Sequence, residues 1–585
     1  MDHQSSRTYS IFSRLISDEM AIMAILGIIV GLAGGFGAIG FRYLIDFCQS
    51  ISYGSADELL DVVSTIPWYF RIGIPALGGL VVGPIVYFLA REAKGHGVPE
   101  VMEAVAMKYG IIRKRIVLIK SLVSAICIGT GGSVGREGPI VQIGSAVGST
   151  LGQMFKVSEN RMKTLVGCGA AAGIAATFNA PIAGSMFALE IIMGEFGVAT
   201  FSPVIISAVT ATAVSRHFLG DFPAFIVPAY QLISPLEFPL YAIMGLFCAL
   251  VGVTFTILLY RGEDLFDCLK FPEYLKAVLG GLILGAMGLL FPQILGIGYG
   301  AINLALLQKL SWGLMFLLVI GKILATSITI GSGGSGGIFA PSLFIGSMAG
   351  GFFGGIVHHL FPAVTASPGA YSIVGMGAVV AATTHGPLSA ILILFEMTGD
   401  YKIILPLMIT CIISRLMAGR LLKESIYTFK LIRRGVDIRS GKEVNVLKSI
   451  SVKDVMNQEV ETMLDSLSLR EFAEKISKTK YNSFPVVNDK GNLTGVLSFL
   501  DYNTAVFNKD LQDLVVVKDL ATLEVATVSI DDNIYNALGK ITSKDFSILP
   551  VVAADDHSQL LGVLTRKDIL DAYDRTVIKR SITYE

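Results

Sequence analysis

Three glycine-rich segments of the sequence each lead into a proline. They are residues 95–100, 135–139 and 336–341, which read GHGVPE, GREGP and GGIFAP. Glycine frees the backbone before a helix, and proline is tolerated in the first helical turn, where its missing N–H would be unpaired in any case. The start of a helix presents unpaired N–H groups and about half an elementary positive charge. In a water-poor environment these groups need a partner, so the three segments predict helix starts that bind an anion.

The composition places these segments in a membrane. The 585 residues are 53% hydrophobic and 16% charged, whereas soluble domains carry about 25% charged residues. Residues 20–38 and 240–259 are apolar runs long enough to cross a bilayer. The formal net charge of zero argues against a nucleic-acid partner, and the six cysteines form no CxxC pair that would indicate a disulfide framework or a metal site. We therefore expect a polytopic membrane domain at residues 20–434, followed by a soluble α/β tail.

The membrane region contains an internal repeat. Residues 120–148 superimpose on residues 322–350 with a constant offset of 202, and glycines and a proline recur at identical spacing. Further along both halves, a proline is followed nine residues later by a glutamate, Glu190 in one half and Glu396 in the other. Agreement at this many positions indicates a duplicated scaffold.

The two repeats, at about residues 20–215 and 235–425, are expected to enter the membrane from opposite faces. The connection that precedes the first repeated stretch is basic, with lysine or arginine at residues 108 and 113–115. The corresponding connection before the second repeated stretch carries little positive charge beyond Lys309. Positive residues accumulate on the cytoplasmic side, so the charge difference predicts inverted repeats. Inverted repeats with broken helices are typical of ion-transporting proteins. The alternative is a duplicated bundle that only anchors the tail.

The membrane region resembles the CLC family of chloride channels and proton-coupled anion exchangers. The resemblance rests on the three glycine–proline motifs, on residues 179–184 (NAPIAG) and on Tyr427. It implies an all-α inverted repeat, a homodimer with a pore in each subunit, and Glu137 as the glutamate that gates the pore. The anion-binding residues that it implies are His96, Gly97, Val98, Ile338, Phe339 and Tyr427.

Glu137 suits the gating role chemically. A carboxylate beside an anion-attracting helix start can occupy the anion site itself, and once protonated it no longer competes with chloride. The alternatives are a partner for the helix dipole or an ion pair with Arg136. Tyr427 has its own alternative, a place in an interfacial aromatic belt. The other intramembrane charges, which are either functional or paired between helices, are Lys120, Lys322, Glu190 and Glu396.

Two positions depart from the family pattern. Ile191 stands where exchangers of the family usually have a glutamate that passes protons, so a proton pathway through Glu190 and Ile191 lacks that carboxylate. His96 stands where the common GSGIP motif has a serine that coordinates chloride. An imidazole donates a hydrogen bond when neutral and adds charge when protonated; alternatively, His96 turns into a polar loop and only its backbone amide serves the anion. The first departure favours a passive channel, and the second leaves the physiological anion open.

The tail repeats a unit of about 57 residues. In each unit a Pro-Val-Val strand precedes the pattern Gly-Val-Leu-(Ser/Thr)-x-x-Asp, which resembles a pair of CBS domains. We assign them to residues 452–508 and 516–574, with residues 435–451 as a linker. In that family such aspartates bind the ribose of an adenine nucleotide, whereas the alternative is that they only cap the following helices. The nucleotide-binding residues implied are Ser498, Asp501, Thr565 and Asp568.

These patterns together predict an integral protein of the cell (inner) membrane of a prokaryote, with residues 1–19 and the CBS pair in the cytoplasm. The leading function is passive transport of chloride through a pore gated by Glu137. The alternatives are a proton-coupled anion exchanger, a CBS-regulated cation transporter, which would need acidic rings in its pore, and a nucleotide sensor with a membrane anchor. We expect no required cofactor, with ATP, ADP or AMP as a ligand of the CBS pair. The sequence contains no constellation that indicates an enzyme.

Overall fold

The structure, a computed structural model, divides the chain into two units between Arg434 and Gly435. It describes residues 19–585 except 222–224, 226, 228–229, 231, 439–445, 449, 480, 500, 502–513, 545 and 583–585. Most of the predicted N-terminal segment 1–19, part of the linker and the end of the first predicted CBS domain therefore lie outside the described residues.

The larger unit consists of two successive series of helices. The first series is α1 (Glu19–Tyr53), α2 (Leu59–Thr65), α3 (Trp68–Phe88), α4 (Val98–Met107), α5 (Arg115–Gly129), α6 (Glu137–Met154), α7 (Glu159–Phe178), α8 (Pro181–Phe187), which continues as a π-helix (Ala188–Met193), and α9 (Val198–Leu219). The second series is α10 (Glu237–Cys268), α11 (Glu273–Leu290), α12 (Tyr299–Leu306), α13 (Trp312–Gly331), α14 (Phe339–Leu360), α15 (Pro368–Thr384), α16 (Pro387–Thr398), α17 (Ile404–Leu421) and α18 (Thr428–Arg433). Short 3₁₀ turns lie at Arg91–Ala93, Pro292–Ile294 and Tyr401–Ile403.

The two series repeat one arrangement, with α3 to α9 corresponding in order to α11 to α17. Within the described residues, eight helices are long and apolar enough to cross a membrane. The apolar runs predicted at residues 20–38 and 240–259 lie inside α1 and α10. The predicted all-α polytopic membrane fold with an internal repeat is confirmed.

Two buried lysines hold equivalent loops in the two series. Lys120 on α5 and Lys322 on α13 each donate from Nζ to two backbone carbonyls in the turn before a short helix. The acceptors are the carbonyl oxygens of Ala93 and Gly95 for Lys120, and of Ile294 and Gly296 for Lys322, at 2.8–3.0 Å. Both lysines therefore satisfy backbone groups that would otherwise be buried without a partner. The sequence left pairing between helices open for them, and in the structure their ammonium groups bind loop carbonyls instead.

Facing glycines let neighbouring helices touch backbone to backbone. A Cβ atom at Gly144 of α6 would lie 2.1 Å from the carbonyl oxygen of Gly169 of α7, and the reverse distance is 2.0 Å. Gly346 of α14 and Gly375 of α15 face each other in the same way, at 2.4 Å in both directions. No side chain fits at these distances, so the glycines set how closely the helices of each pair approach.

Glu190 and Glu396 each bind the start of a helix in the opposite series. Glu190, in the π-helix, accepts hydrogen bonds from the amides of Leu388 and Ser389 at 3.1 and 2.7 Å, and from the Ser389 hydroxyl at 2.6 Å. Glu396, its repeat equivalent, accepts from the amides of the second and third residues of α8 at 3.1 and 2.7 Å. Amides in the first turn of a helix have no partner within it, and the two carboxylates supply one. These charges do pair between helices, with helix starts as their partners.

The smaller unit contains two three-stranded sheets of the same topology. The strands are β1 (Met463–Leu464), β2 (Ser483–Val487) and β3 (Leu493–Ser498) in the first sheet, and β4 (Val528–Ser529), β5 (Ile548–Val552) and β6 (Leu560–Thr565) in the second. In each sheet the central strand pairs parallel with the first strand and antiparallel with the last. The accompanying helices are α19 (Leu469–Ile476), α20 (Val517–Leu520), α21 (Ile534–Lys544) and α22 (Arg566–Ile582). The duplicated α/β module predicted for the tail is confirmed.

Replacing Glu190 or Glu396 with alanine should destabilise the membrane unit to a similar extent. Each replacement leaves two helix-start amides without an acceptor, which costs about 1–3 kcal/mol. Thermal denaturation of the purified protein in detergent should give a lower midpoint for both variants than for Glu195→Ala, which removes an exposed carboxylate. A wild-type midpoint for Glu190→Ala would mean that its cap is dispensable and that the carboxylate is free for another role.

Candidate anion site

The three glycine–proline segments meet through backbone hydrogen bonds. Gly135 and Gly337, which are equivalent in the repeat, donate to each other's carbonyl oxygens at 2.7 and 2.6 Å. Gly95 donates to the carbonyl of Gly334 at 3.1 Å and accepts from the amide of Gly336 at 3.3 Å. Segments that lie far apart in the sequence therefore form one junction, which contains a residue pair related by the internal repeat.

Three helices start at this junction, as the sequence predicted. Val98 and Phe339 are the first residues of α4 and α14, and α6 begins at Glu137. Gly97, which precedes α4, has a φ of +81°, a conformation that favours glycine. A Cβ atom at Gly138 would lie 2.1 Å from the carbonyl oxygen of His96, so the start of α6 touches the segment before α4. The predicted anion-binding residues that are buried around these starts are Gly97, Val98, Ile338 and Phe339.

The Glu137 carboxylate lies within this junction. Its side chain is buried, with 1% of the residue surface exposed. Oε1 accepts a hydrogen bond from the Tyr299 hydroxyl at 2.8 Å. Oε2 has no well-formed hydrogen bond to any described residue, although it lies beside the backbone amide of Ala340 in the first turn of α14. Arg136 packs over the Tyr299 ring, with Cζ 5.5 Å from the ring centroid. The carboxylate is therefore placed where an anion attracted by the start of α14 would lie.

His96 and Tyr427 are neighbours. His96 is fully buried, and its ring centroid lies 5.8 Å from that of Tyr427, which is 1% exposed. His96 Nε2 is 3.3 Å from the hydroxyl of Tyr260, which itself donates to the carbonyl of Ile426. Burial beside His96 rules out the interfacial belt for Tyr427, and burial among aromatic rings rules out the polar loop for the His96 side chain.

Two ammonium groups flank the backbone of Gly95, next to His96. Lys120 binds the Gly95 carbonyl, and a Cβ atom at Gly95 would lie 2.6 Å from Lys430 Nζ. Lys430 is buried and forms an ion pair with Glu100 of α4 at 3.4 Å. The Glu100 carboxylate, in the first turn of α4, therefore offsets the charge of Lys430.

A cavity of about 360 Å³ lies next to Arg136 and Tyr299, the two side chains beside Glu137. Arg136 and Tyr299 both line it, together with Arg42 and with the carboxylates Asp46 and Glu58. Glu58 accepts a hydrogen bond from the amide of residue 300, in the first turn of α12, at 2.9 Å. The cavity offers room for water and ions next to the residues that hold Glu137.

Ile191 is buried next to the turn that precedes α16. It is 6% exposed, and a Cβ atom at Gly386 would lie 2.8 Å from its Cδ1. Its neighbour Glu190 is engaged with the start of α16, as described above. The two residues of the predicted proton pathway are thus an aliphatic side chain and a carboxylate whose oxygens both accept hydrogen bonds.

The four residues predicted to bind a nucleotide form two equivalent pairs of contacts. Asp501 Oδ2 accepts from the amide and hydroxyl of Ser498 at 2.9 and 2.6 Å. Asp568 Oδ2 accepts from the amide and hydroxyl of Thr565 at the same distances. Asp568 lies in the first turn of α22, so the capping alternative describes the contacts of the second pair, and nucleotide binding stays a prediction.

Three residues at the junction were not identified from the sequence: Tyr260, Tyr299 and Lys430. Tyr260 and Lys430 lie outside the glycine–proline motifs, and their sequence positions carry no local signal. Tyr299 could have been found, because the repeat places the start of α12 in correspondence with that of α4, which had been singled out.

Known proteins match both parts of the chain. A family model described as voltage gated chloride channel matches residues 78–419, and the CBS domain model matches residues 452–507 and 517–575. The chain is 37% identical over 420 residues to a putative chloride channel protein ClcB-like of Ralstonia nicotianae, a match that covers 71% of this chain and 98% of that protein. It is 34% identical over 419 residues to the H(+)/Cl(-) exchange transporter ClcA of Vibrio parahaemolyticus, covering 70% and 89% of the two chains.

Solved structures share the fold. A slow cyanobacterial Cl-/H+ antiporter matches with a TM-score of 0.65 and 29% identity, covering 70% of this chain and 97% of that one. A eukaryotic CLC transporter matches with a TM-score of 0.62 and 19% identity, covering 94% and 99%, and this likeness concerns the fold alone. The resemblance found in the sequence is confirmed. The chain belongs to the voltage gated chloride channel (CLC) family, with a pair of CBS domains in its tail.

Proposed function

We propose that this protein moves chloride, or another small monovalent anion, across the membrane past the junction of α4, α6 and α14, with Glu137 as the gate. The observation that carries the proposal is the position of the Glu137 carboxylate. It is buried beside the first turn of α14, and Oε2 lacks a well-formed hydrogen bond within the described residues. Helix-start amides favour an anion, so the carboxylate and a permeating anion compete for the same place.

Gating follows from this competition. The ionised carboxylate blocks the anion site, and an anion passes when it displaces the carboxylate or when the carboxylate is protonated and loses its charge. The backbone at Gly97, Val98, Ile338 and Phe339 lines the site, and His96 and Tyr427 lie side by side next to it. Lys120 holds the turn before α4 through the Gly95 carbonyl.

Proton coupling is part of the proposal. The relatives named as H(+)/Cl(-) exchange transporter and Cl-/H+ antiporter share 34% and 29% identity with this chain. The sequence favoured a passive channel because of Ile191, and a passive channel is the second candidate. In its favour are the aliphatic side chain of Ile191, which cannot carry a proton, and the name of the ClcB-like relative, a putative chloride channel protein.

The tail is assigned a regulatory role within the same proposal. The protein acts as a homodimer in a prokaryotic cell membrane, with its CBS pair in the cytoplasm and an adenine nucleotide as the regulatory ligand. Support comes from the two CBS matches.

Chloride flux and proton flux measured together in liposomes decide between the two candidates. With a chloride gradient imposed and the voltage clamped by an ionophore, we expect protons to move uphill in fixed proportion to chloride. Chloride movement without uphill proton movement would instead establish the passive channel and make Ile191 its explanation. The absence of any chloride flux would contradict chloride as the anion and direct the assay to other halides and nitrate.

Replacing Glu137 with alanine should remove the pH dependence of anion flux. Wild-type flux should rise as the pH falls, because protonation removes the competing charge, whereas the variant has no carboxylate to protonate. The matched control is Glu273→Ala, which removes an exposed carboxylate at the start of α11 and should behave as the wild type. A wild-type pH dependence in Glu137→Ala would show that another group gates the pore.

Replacing Asp568 with alanine should weaken the binding of ATP, ADP or AMP, measured by calorimetry on the full-length protein. The variant loses both the carboxylate assigned to the ribose and the cap on α22. The cap loss costs about 1 kcal/mol, so thermal denaturation should accompany the titration. Asp571→Ala, which removes an exposed carboxylate from the same helix, is the control. No heat of binding with the wild-type protein would remove the nucleotide from the proposal.

A further inference from the structure

Tyr299 joins the second series of helices to the carboxylate proposed as the gate. Its hydroxyl donates to Glu137 Oε1 at 2.8 Å, although the two residues lie 162 positions apart in the sequence. Tyr299 is the first residue of α12, and Gly298 before it has a φ of +92°. Only glycine adopts that conformation readily, so the turn at Gly298 fixes where α12 begins and therefore where Tyr299 lies.

Two contacts hold the Tyr299 ring in place. The guanidinium of Arg136 lies over one face of the ring, with Cζ 5.5 Å from the centroid. The ring of Phe225 meets it edge to face, with centroids 5.2 Å apart and planes at 75°. A cation over the face and an aromatic edge are both favourable partners for a tyrosine ring. The ring is therefore anchored, and its hydroxyl is the group that reaches Glu137.

The hydroxyl is specific to the second series. The helix that corresponds to α12 is α4, and its first residue is Val98, whose side chain has no hydrogen-bond donor. The contact between Tyr299 and Glu137 is therefore an addition to one half of the duplicated scaffold and does not follow from the repeat.

We propose that Tyr299 is a positioning residue that holds ionised Glu137 in the blocking position. The proposal rests on the proposed function of Glu137 as the gate. A hydrogen bond from a hydroxyl to an ionised carboxylate is stronger than one to a neutral carboxyl group. Tyr299 therefore stabilises the blocked state, and protonation of Glu137 weakens the contact at the same time as it removes the competing charge.

Other groups also face the carboxylate. They are Arg136 from the start of its own helix, Tyr427 from the segment before α18, and the backbone amide of Ala340. Arg136 and the amide favour the ionised carboxylate as Tyr299 does, so the tyrosine adds one bond to an existing preference. Removal of the hydroxyl alone leaves these groups in place.

Tyr299→Phe isolates that bond, because it keeps the ring that Arg136 and Phe225 contact. In liposomes, the pH of half-maximal chloride flux should rise by about one to two units, as expected when a charged carboxylate loses one hydrogen bond. Tyr230→Phe is the matched control, since the Tyr230 hydroxyl donates to the carbonyl of Leu306 at the other end of α12. It also removes a tyrosine hydroxyl that contacts this helix, and it should leave the midpoint unchanged.

The same comparison in the Glu137→Ala background separates this proposal from the proposed function. Tyr299→Phe should have no further effect there, because the carboxylate that it positions is absent. An unchanged midpoint in Tyr299→Phe, with pH dependence still abolished by Glu137→Ala, would overturn the role of Tyr299 and leave the gate intact. Equal shifts in the Tyr299 and Tyr230 variants would also overturn it, since they would arise from α12 as a whole. Wild-type pH dependence in Glu137→Ala would instead contradict the gate itself.

Discussion

The reciprocal backbone hydrogen bonds between Gly135 and Gly337 are the constraint on which the junction depends. The two residues are equivalent in the repeat, so the bridge lies on the local twofold relation between the two series. Neither position has room for a side chain: a Cβ atom would lie 2.1 Å from Glu137 Oε2 at Gly135, and 2.7 Å from the amide of Gly138 at Gly337. Contact at this distance brings the starts of α6 and α14 together, with amides that no helix satisfies. An anion is the simplest group that satisfies them.

Among the described residues, Glu137, Glu190 and Glu396 are carboxylates that lie at helix starts, and Glu137 differs from the other two in its hydrogen bonds. Glu190 and Glu396 use both oxygens to accept backbone hydrogen bonds across the repeat. Glu137 accepts one hydrogen bond, from a side chain, and its second oxygen has no well-formed bond within the described residues. A carboxylate with two amide partners is a structural cap, because displacing it costs both bonds. Glu137 has one well-formed hydrogen bond and a second oxygen beside the Ala340 amide, so its displacement costs fewer hydrogen bonds, which suits the proposed gate.

The sequence predicted the features that depend on local pattern. Glycine and proline spacing located the starts of α4, α6 and α14, the constant offset revealed the repeat, and the duplicated tail motif predicted the two sheets. It missed Tyr299 and Tyr260, because their contacts with Glu137 and His96 join residues more than 160 positions apart and depend on tertiary packing. For Tyr427 the residues alone favoured an interfacial belt and only the family resemblance indicated the site, since hydropathy does not distinguish a buried tyrosine from an interfacial one.

The hydrogen bonds of His96 determine whether its imidazole ring or only its backbone can bind an anion. The hydroxyl of Tyr260 donates its proton to the carbonyl of Ile426, so it can only accept from His96 Nε2. This assigns the neutral imidazole proton to Nε2 and leaves Nδ1, which has no partner among the described residues, with a bare lone pair. A lone pair repels an anion, so a neutral His96 serves the anion only through the backbone of its segment. Protonation would turn Nδ1 into a donor, and the same residue would then attract the anion directly. A serine hydroxyl rotates to donate in either case, which is why histidine at this position changes the chemistry of the site and not only its size.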